Sequence, residues 1–422
     1  MSETQKERTF LFILFVYFSI YFYLGILPAN IDNLLTQLSG ASNFGVSSII
    51  TLGLIGLTIS MLFFGYFSNH LSQRFGRKNL FVFLNLLWII SIGVISVSPN
   101  YIFFIVFYII AAIGSGAFLP IGFSIIGDLY GPEKRGTKFG MMYVGLSLGS
   151  GLGIVFGGLL GWRLGFLISC ILGAVGIFGY FKHAIDPKST EYKETRLVQV
   201  HNNQITAKTL IDVVKSKTVL GILIYVFCAG IATSTLSNWG IFYLNLQLNN
   251  KMMAILFYIV AGVGAILGSY IGGMLGDIFF ENGKLNGRIK ISILGIVLGP
   301  LFLLGFYHYA FIMFGIFGYF FVFFSSGNQF AIYSDVCTPE MRSVVNSLNG
   351  VMINIGGIVG SVMVSATIYQ DLSLISLSIT IVLVIWLFSA VFWLIPYFYY
   401  TNDINFKVMR MKERIQQIDI YT

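Results

Sequence analysis

Apolar residues in this chain come in runs of about 20, separated by short polar stretches, and a helical run of that length covers the ~30 Å hydrocarbon core of a bilayer. The runs predict membrane spans over residues 10–31, 46–68, 80–97, 101–128, 139–160 and 164–181. A second set spans 219–244, 252–275, 289–306, 309–333, 344–368 and 374–397. Glycines lie inside the runs and short alternating segments are missing, so helices rather than barrel strands are expected. The pattern predicts an all-α polytopic membrane protein with twelve transmembrane helices in two six-helix, pseudo-symmetric bundles. The bundles occupy residues 1–181 and 218–400, with a polar linker at 182–217 and a tail at 401–422.

Composition agrees with a chain whose main partner is the lipid bilayer. Mean hydropathy is +0.84 and only 10% of residues are charged, against roughly 25% in soluble domains. The formal net charge of +8 does not point to nucleic acid, because the cations alternate between loops. One set of loops holds Lys6 and Arg8; Arg74, Arg77 and Lys78; Lys134, Arg135 and Lys138; the linker; Lys284, Arg288 and Lys290; Arg342; and the tail. The opposite set holds only Arg163 and Lys251. That asymmetry places both termini and the linker on the cytoplasmic side of the cell membrane. Cys170, Cys228 and Cys337 show no paired spacing, so no structural disulfide is expected. The first run lacks a cleavage site and is expected to remain as a helix.

The chain also repeats itself. Asp128-Leu-Tyr-Gly-Pro132-Glu133-Lys-Arg135 returns as Asp335-Val-Cys-Thr-Pro339-Glu340-Met-Arg342, and Gly149 and Gly153 return as Gly356 and Gly360 at the same offset. The repeat implies two similar halves. The glycines Gly145, Gly149, Gly153, Gly157 and Gly158 form a stripe suited to close helix packing, on which neighbouring helices could also rock.

After the second span stands Asn69-His-Leu71-Ser72-Gln73-Arg74-Phe75-Gly76-Arg77-Lys78. It resembles the signature loop of the major facilitator superfamily, Gly-x-Leu-Ala-Asp-Arg-x-Gly-Arg-Arg/Lys. The match holds at Leu71, Arg74, Gly76, Arg77 and Lys78, and departs at Asn69 and at Gln73, where the family has Asp. Gly273-Met-Leu275-Gly276-Asp277, with Gly287-Arg288 after an insertion, is a second, degenerate copy that keeps the Asp. The resemblance implies transport of a small organic solute by alternating access between the halves. It also implies that the loop Asp caps a neighbouring helix and joins a cytoplasmic charge network. A Gln at position 73 offers a hydrogen bond there but no charge-assisted one. The glycine stripe also resembles the antiporter motif of drug-efflux branches, with Ile154 where that motif has Pro, and Gly161-Trp162-Arg163 resembles spinster-like and organic-solute branches. A multidrug or metabolite efflux antiporter is therefore the alternative. A sensor, channel or scramblase on the same fold ranks lower.

A carboxylate at a helix C-terminus faces the negative end of the macrodipole and needs a cation. Asp128 and Asp335 sit at such ends. With Gln73, Arg74, Gly76, Arg77, Arg135, Asp277, Arg288 and Arg342 they form the expected latch of an outward-facing, cytoplasmically closed state. The expected solute contacts are Tyr17, Tyr21, Thr235, Asn238, Trp239, Asn328, Gln329, Asn349 and Asn354, with Asn238 and Trp239 the preferred pair. No Asp or Glu falls at mid-membrane, which leaves Asp32, near the outer end of the first span, as the candidate for coupling to a proton or another ion. Central cations are missing too, which favours neutral, zwitterionic or weakly charged amphipathic solutes. No nucleotide-binding loop, metal-ligand cluster or cofactor motif is visible, so an enzyme is not expected. The chain is expected to act as a monomer.

Overall fold

The computed structural model describes residues 2–40, 43–185, 215–370 and 374–419. Helix α1 (Glu3–Ile26) starts in a capping box, with Ser2 accepting from the Gln5 amide and Gln5 answering the Ser2 amide. It ends earlier than the apolar run, because a 3₁₀ turn at Pro28–Asn30 leads into the short α2 (Ile31–Gln37). Helix α3 (Asn43–Phe75) passes to α4 (Arg77–Ile95) through Gly76, whose φ of 78° is accessible to glycine at little cost. Next come α5 (Tyr101–Gly116) and α6 (Phe118–Leu129), two pieces of one crossing. Helix α7 (Pro132–His183) carries Pro132 at its first turn and bends at Gly161 (φ 78°, ψ 166°), so it makes two crossings.

The second half repeats this plan. It contains α8 (Lys217–Leu248), α9 (Lys251–Glu281), α10 (Gly287–Tyr309), the broken pair α11 (Ile312–Val322) and α12 (Phe324–Val336), and α13 (Arg342–Gln370). Helix α14 (Ile375–Phe388) continues through a 3₁₀ stretch, Ser389–Trp393, into α15 (Leu394–Asp419). Among the described residues the chain is thus an all-α bundle of twelve crossings, numbered as segments 1 to 12 in chain order. Segments 4 and 10 are the broken ones, and segment 12 runs on as helix well past residue 401. The side chain of Asp32 and linker residues 186–214 lie outside the described residues.

Segment 1 packs along segment 5, and segment 7 along segment 11, through glycines. Gly145, Gly149, Gly153 and Gly157 are buried against α1, whereas Gly158 faces outward, off the stripe. A Cβ on Gly149 or Gly153 would overlap the carbonyl oxygen of Phe18 or Phe22, and one on Gly356 or Gly360 that of Phe227 or Ile231. Those neighbours are backbone and cannot rotate away. Large apolar side chains such as Phe83, Ile90, Leu159 and Phe178 are exposed on the outside of the bundle, where acyl chains would cover them.

The stripe gives a paired test of stability. Gly153→Ala should lower stability by about 1–3 kcal/mol through overpacking. Gly151→Ala, two residues away with nothing near its Cβ position, should leave it unchanged. Melting temperatures of the two detergent-solubilised variants check this.

Candidate functional site

One end of the bundle carries most of the charge. Asp128 ends segment 4 and Asp335 ends segment 10, so each carboxylate stands at the negative end of a helix dipole. In the first half, Arg77 Nη1 lies 2.6 Å from Asp128 Oδ2, and its Nη2 donates to Ser124 Oγ at 2.5 Å. In the second half, Arg288 Nη1 lies 2.5 Å from Asp335 Oδ2. Two further arginines cross between halves. Arg135 reaches Asp335 Oδ1 at 2.9 Å, and Arg342 reaches Asp128 Oδ1. Both crossing guanidiniums also donate to the carbonyls of Gly127 and Ser334, which precede the two aspartates. Every side chain in these pairs is at most 9% exposed. Each carboxylate therefore has two guanidinium partners, the condition under which buried charge is tolerated.

The companion loops make the halves unequal. Asp277, at the end of segment 8, accepts from the amides of Gly136 (2.9 Å) and Thr137 (2.6 Å) and from the Thr137 hydroxyl (2.7 Å). It therefore binds the start of segment 5, where the dipole is positive. Arg288 Nη2 holds Asp277 Oδ1 at 2.6 Å and donates to the Pro132 carbonyl, so this arginine spans Asp277, Asp335 and the opposite half. At the matching place in the first half, Gln73 is exposed and makes no hydrogen bond among the described residues, and Arg74 is exposed over the Phe75 ring. There the halves meet through Ser343 and Ser347, whose hydroxyls donate to the carbonyls of Gly65 and Met61.

Above the charges lies a floor of rings. Phe123 and Phe139 of the first half pack on Phe330 of the second, with centroids 4.6 and 5.6 Å apart. Tyr17 stacks on Phe118 (4.9 Å) and meets Tyr21 edge-on (4.9 Å). Across the interface Gln329 Nε2 donates to Tyr143 Oη at 3.2 Å, and Asn354 Nδ2 donates to Thr58 Oγ1 at 3.1 Å. The structure thus brings Tyr17, Tyr21 and Gln329 into one neighbourhood, and sets Asn354 on the boundary between halves.

Other predicted solute contacts are spent elsewhere. Asn328 donates to the Gly272 and Phe324 carbonyls of its own half, Asn349 accepts from Tyr333 at 3.2 Å, and Thr235 is buried against Gly360. Asn238 is exposed and bonds Ser234, and Trp239 meets Phe242; all four belong to segment 7. The preferred pair is therefore outside the ring floor.

Sequence reasoning missed Tyr143, Tyr400 and Lys407. Tyr143 stands one turn beyond Phe139 on the glycine-rich helix, a spacing that could have marked it. Tyr400 donates to Asp335 Oδ2 at 2.7 Å, and Lys407 Nζ donates to the Ser334 and Asp335 carbonyls at 2.9 Å each. No local pattern in the tail pointed to either contact. Within the cluster Arg288 is the most consequential cation, since its removal leaves Asp277 without a cation and Asp335 with Arg135 alone. Arg288→Met should destabilise the fold by about 3–5 kcal/mol, whereas Arg74→Met should change it by less than about 0.5 kcal/mol. Chemical denaturation in a mild detergent reads both.

Comparison with known proteins bears on the family and the fold. The chain is 35% identical over 123 residues to multidrug resistance protein 3 of Bacillus subtilis, covering 28% of this chain and 24% of that one. It is 30% identical over 135 residues to citrate exporter 1 of Aspergillus niger, covering 30% and 26%. The chain therefore matches only about a quarter of the length of these relatives. The solved structure of the proton:xylose symporter XylE bound to 6-bromo-6-deoxy-D-glucose superposes with a TM-score of 0.74 at 15% identity. That likeness covers 93% of this chain and 96% of XylE, and concerns the fold. The sequence profile of the Major Facilitator Superfamily matches residues 9–361, and with that match the chain belongs to the major facilitator superfamily.

Proposed function

We propose that this protein carries a small organic solute across the cell membrane by alternating access, and that the structure is its state closed on the cytoplasmic side. The observation that carries this reading is the crossed pair Arg135–Asp335 and Arg342–Asp128, which among the described residues ties the two halves at one end. The inter-half bonds run from that end as far as Asn354 and Thr58. Cation-rich loops mark the tied end as cytoplasmic, with both termini on that side. Breaking such pairs becomes favourable only when water can replace each partner, which makes the cluster a two-state element rather than a fixed brace.

The solute site lies at the ring floor, with Tyr17, Tyr21, Tyr143 and Gln329 as contacts. Flat aromatic faces and uncharged hydrogen-bonding groups suit a neutral, zwitterionic or weakly charged amphipathic molecule. A multiply charged anion such as citrate would find no cation among these residues. Coupling to a proton or another ion would run through the charged cluster or Asp32. The match to a multidrug resistance protein favours export as the second reading, with the same site facing the opposite gradient.

Three measurements test the proposal. In proteoliposomes, a solute that first raises the melting temperature of the purified protein should show saturable flux and counterflow; flux that never saturates would indicate a channel. Asp128→Asn combined with Asp335→Asn should slow that flux at least about tenfold and raise the accessibility of the charged end. If neither changes, the latch has no role. Gln329→Leu should weaken binding of the same solute about fivefold, the worth of one lost neutral hydrogen bond.

A further inference from the structure

Segments 4 and 10 break at matching depths, between α5 and α6 at Ala117 and between α11 and α12 at Phe323. In segment 4, Pro120 lacks an amide proton, so the Gly116 carbonyl loses its usual partner. Segment 10 has no proline there. There the Ser325 hydroxyl donates to the Val322 carbonyl, and the Phe323 carbonyl accepts from both the amide and the hydroxyl of Ser326. The piece beyond each break carries a latch aspartate and a floor ring: Asp128 and Phe123 on α6, Asp335 and Phe330 on α12.

At both breaks a buried tyrosine from the first segment of the same half holds a serine two residues from the break point. Tyr23 Oη lies 2.7 Å from Ser115 Oγ, and Tyr225 Oη lies 2.8 Å from Ser325 Oγ. The serine hydroxyls are already committed to backbone carbonyls, Ser115 to Ala111 and Ser325 to Val322. The tyrosines are therefore the donors. Each ring is itself held by a tryptophan: Tyr23 stacks on Trp88 at 5.6 Å, and Tyr225 meets Trp393 edge-on at 5.4 Å. All four members of the two pairs are at most 4% exposed. The two pins grip different pieces: Ser115 belongs to α5, before its break, and Ser325 to α12, beyond its break.

We propose that Tyr23 and Tyr225 are positioning residues for the breaks of segments 4 and 10, Tyr23 by fixing the end of α5 from which α6 departs and Tyr225 by holding α12 itself, so that α6 and α12 stay where the crossed pairs can form. Tilting either piece about its break would part Phe123 from Phe330 and draw the aspartates away from the opposite arginines. A bond that survives the tilt could not bias it, so the pins act only if tilting lengthens them. This inference rests on the two-state reading of the charged cluster.

The test uses the full chain in membrane vesicles and needs no solute. Cys337, buried just beyond Asp335, is kept as the sole thiol by Cys170→Ser and Cys228→Ser. A second reporter places Ser347→Cys at the Gly65 contact, with Cys337→Ser. N-ethylmaleimide labelling rates then track the population open at the charged end. Tyr23→Phe and Tyr225→Phe keep the rings and remove only the hydroxyls. Each should raise labelling at both reporters about fivefold, the worth of one net hydrogen bond, and the double variant about 25-fold. Unchanged rates, or a rise at Cys337 without one at Ser347→Cys, would overturn the proposal, the latter meaning local loosening only. Asp128→Asn with Asp335→Asn is the control. If the control raises labelling and the tyrosine variants do not, the pins fail while the two-state reading stands; if the control does not, that reading fails first.

Discussion

The crossing of Arg135 to Asp335 and of Arg342 to Asp128 is the constraint on which the rest of the arrangement depends. A buried carboxylate with one partner is poorly compensated, and one with two guanidiniums and a place at a helix end is tolerated. Because each crossing arginine also takes the carbonyls of Gly127 and Ser334, it fixes the end of both segments at once. The halves cannot part at this end without leaving four buried charges short of partners. Water entering the gap would be the natural replacement, so on the proposed two-state reading the closed and open arrangements would differ in solvation.

The repeat is symmetric in these pairs and unequal around them. Where Asp277 seals segment 8 to the start of segment 5, Gln73 leaves segment 2 without a charge-assisted bond to segment 11. The contact there is made instead by serine hydroxyls on backbone carbonyls. Small residues allow both approaches: a Cβ on Gly140 would overlap the Ser269 carbonyl, and one on Gly65 would overlap the Ser347 side chain. Glycine faces serine in each case, with the glycine on the first half and the serine on the second. The Asp277 side binds by charge and dipole, the Gln73 side by neutral hydrogen bonds, so the two sides need not yield together.

Further into the membrane the chemistry changes from charge to rings and hydroxyls. Phe123, Phe139 and Phe330 close the space above the latch, and the Gln329–Tyr143 bond is a neutral link across the same interface. The breaks in segments 4 and 10 lie at this level, so the pieces bearing the floor rings are the ones ending in the latch aspartates. Ring floor and charged cluster therefore share two short elements, α6 and α12, each joining a floor ring to an aspartate within a turn or two of helix.

By itself the sequence determined the features that depend only on local length and period. Twelve apolar runs, cations in alternate loops, a glycine every fourth residue and a duplicated Asp…Arg motif each have a reading that needs no partner, and the crossings, packing stripe and latch residues come from these. It also showed the loss of Asp at position 73, and with it the unequal halves. The tertiary structure decided everything that depends on which face meets which neighbour. Asn328 and Asn349 are polar at the right depth yet bond within their own half, and Tyr143 joins the interface only because segment 5 faces segment 10. Tyr400 and Lys407 lie some 65 residues or more from the aspartate they support, a pairing that no periodicity encodes. Side-chain hydrogen bonds across a helical bundle depend on rotation of each helix about its axis, and packing against glycines sets that rotation only once all the helices are in place.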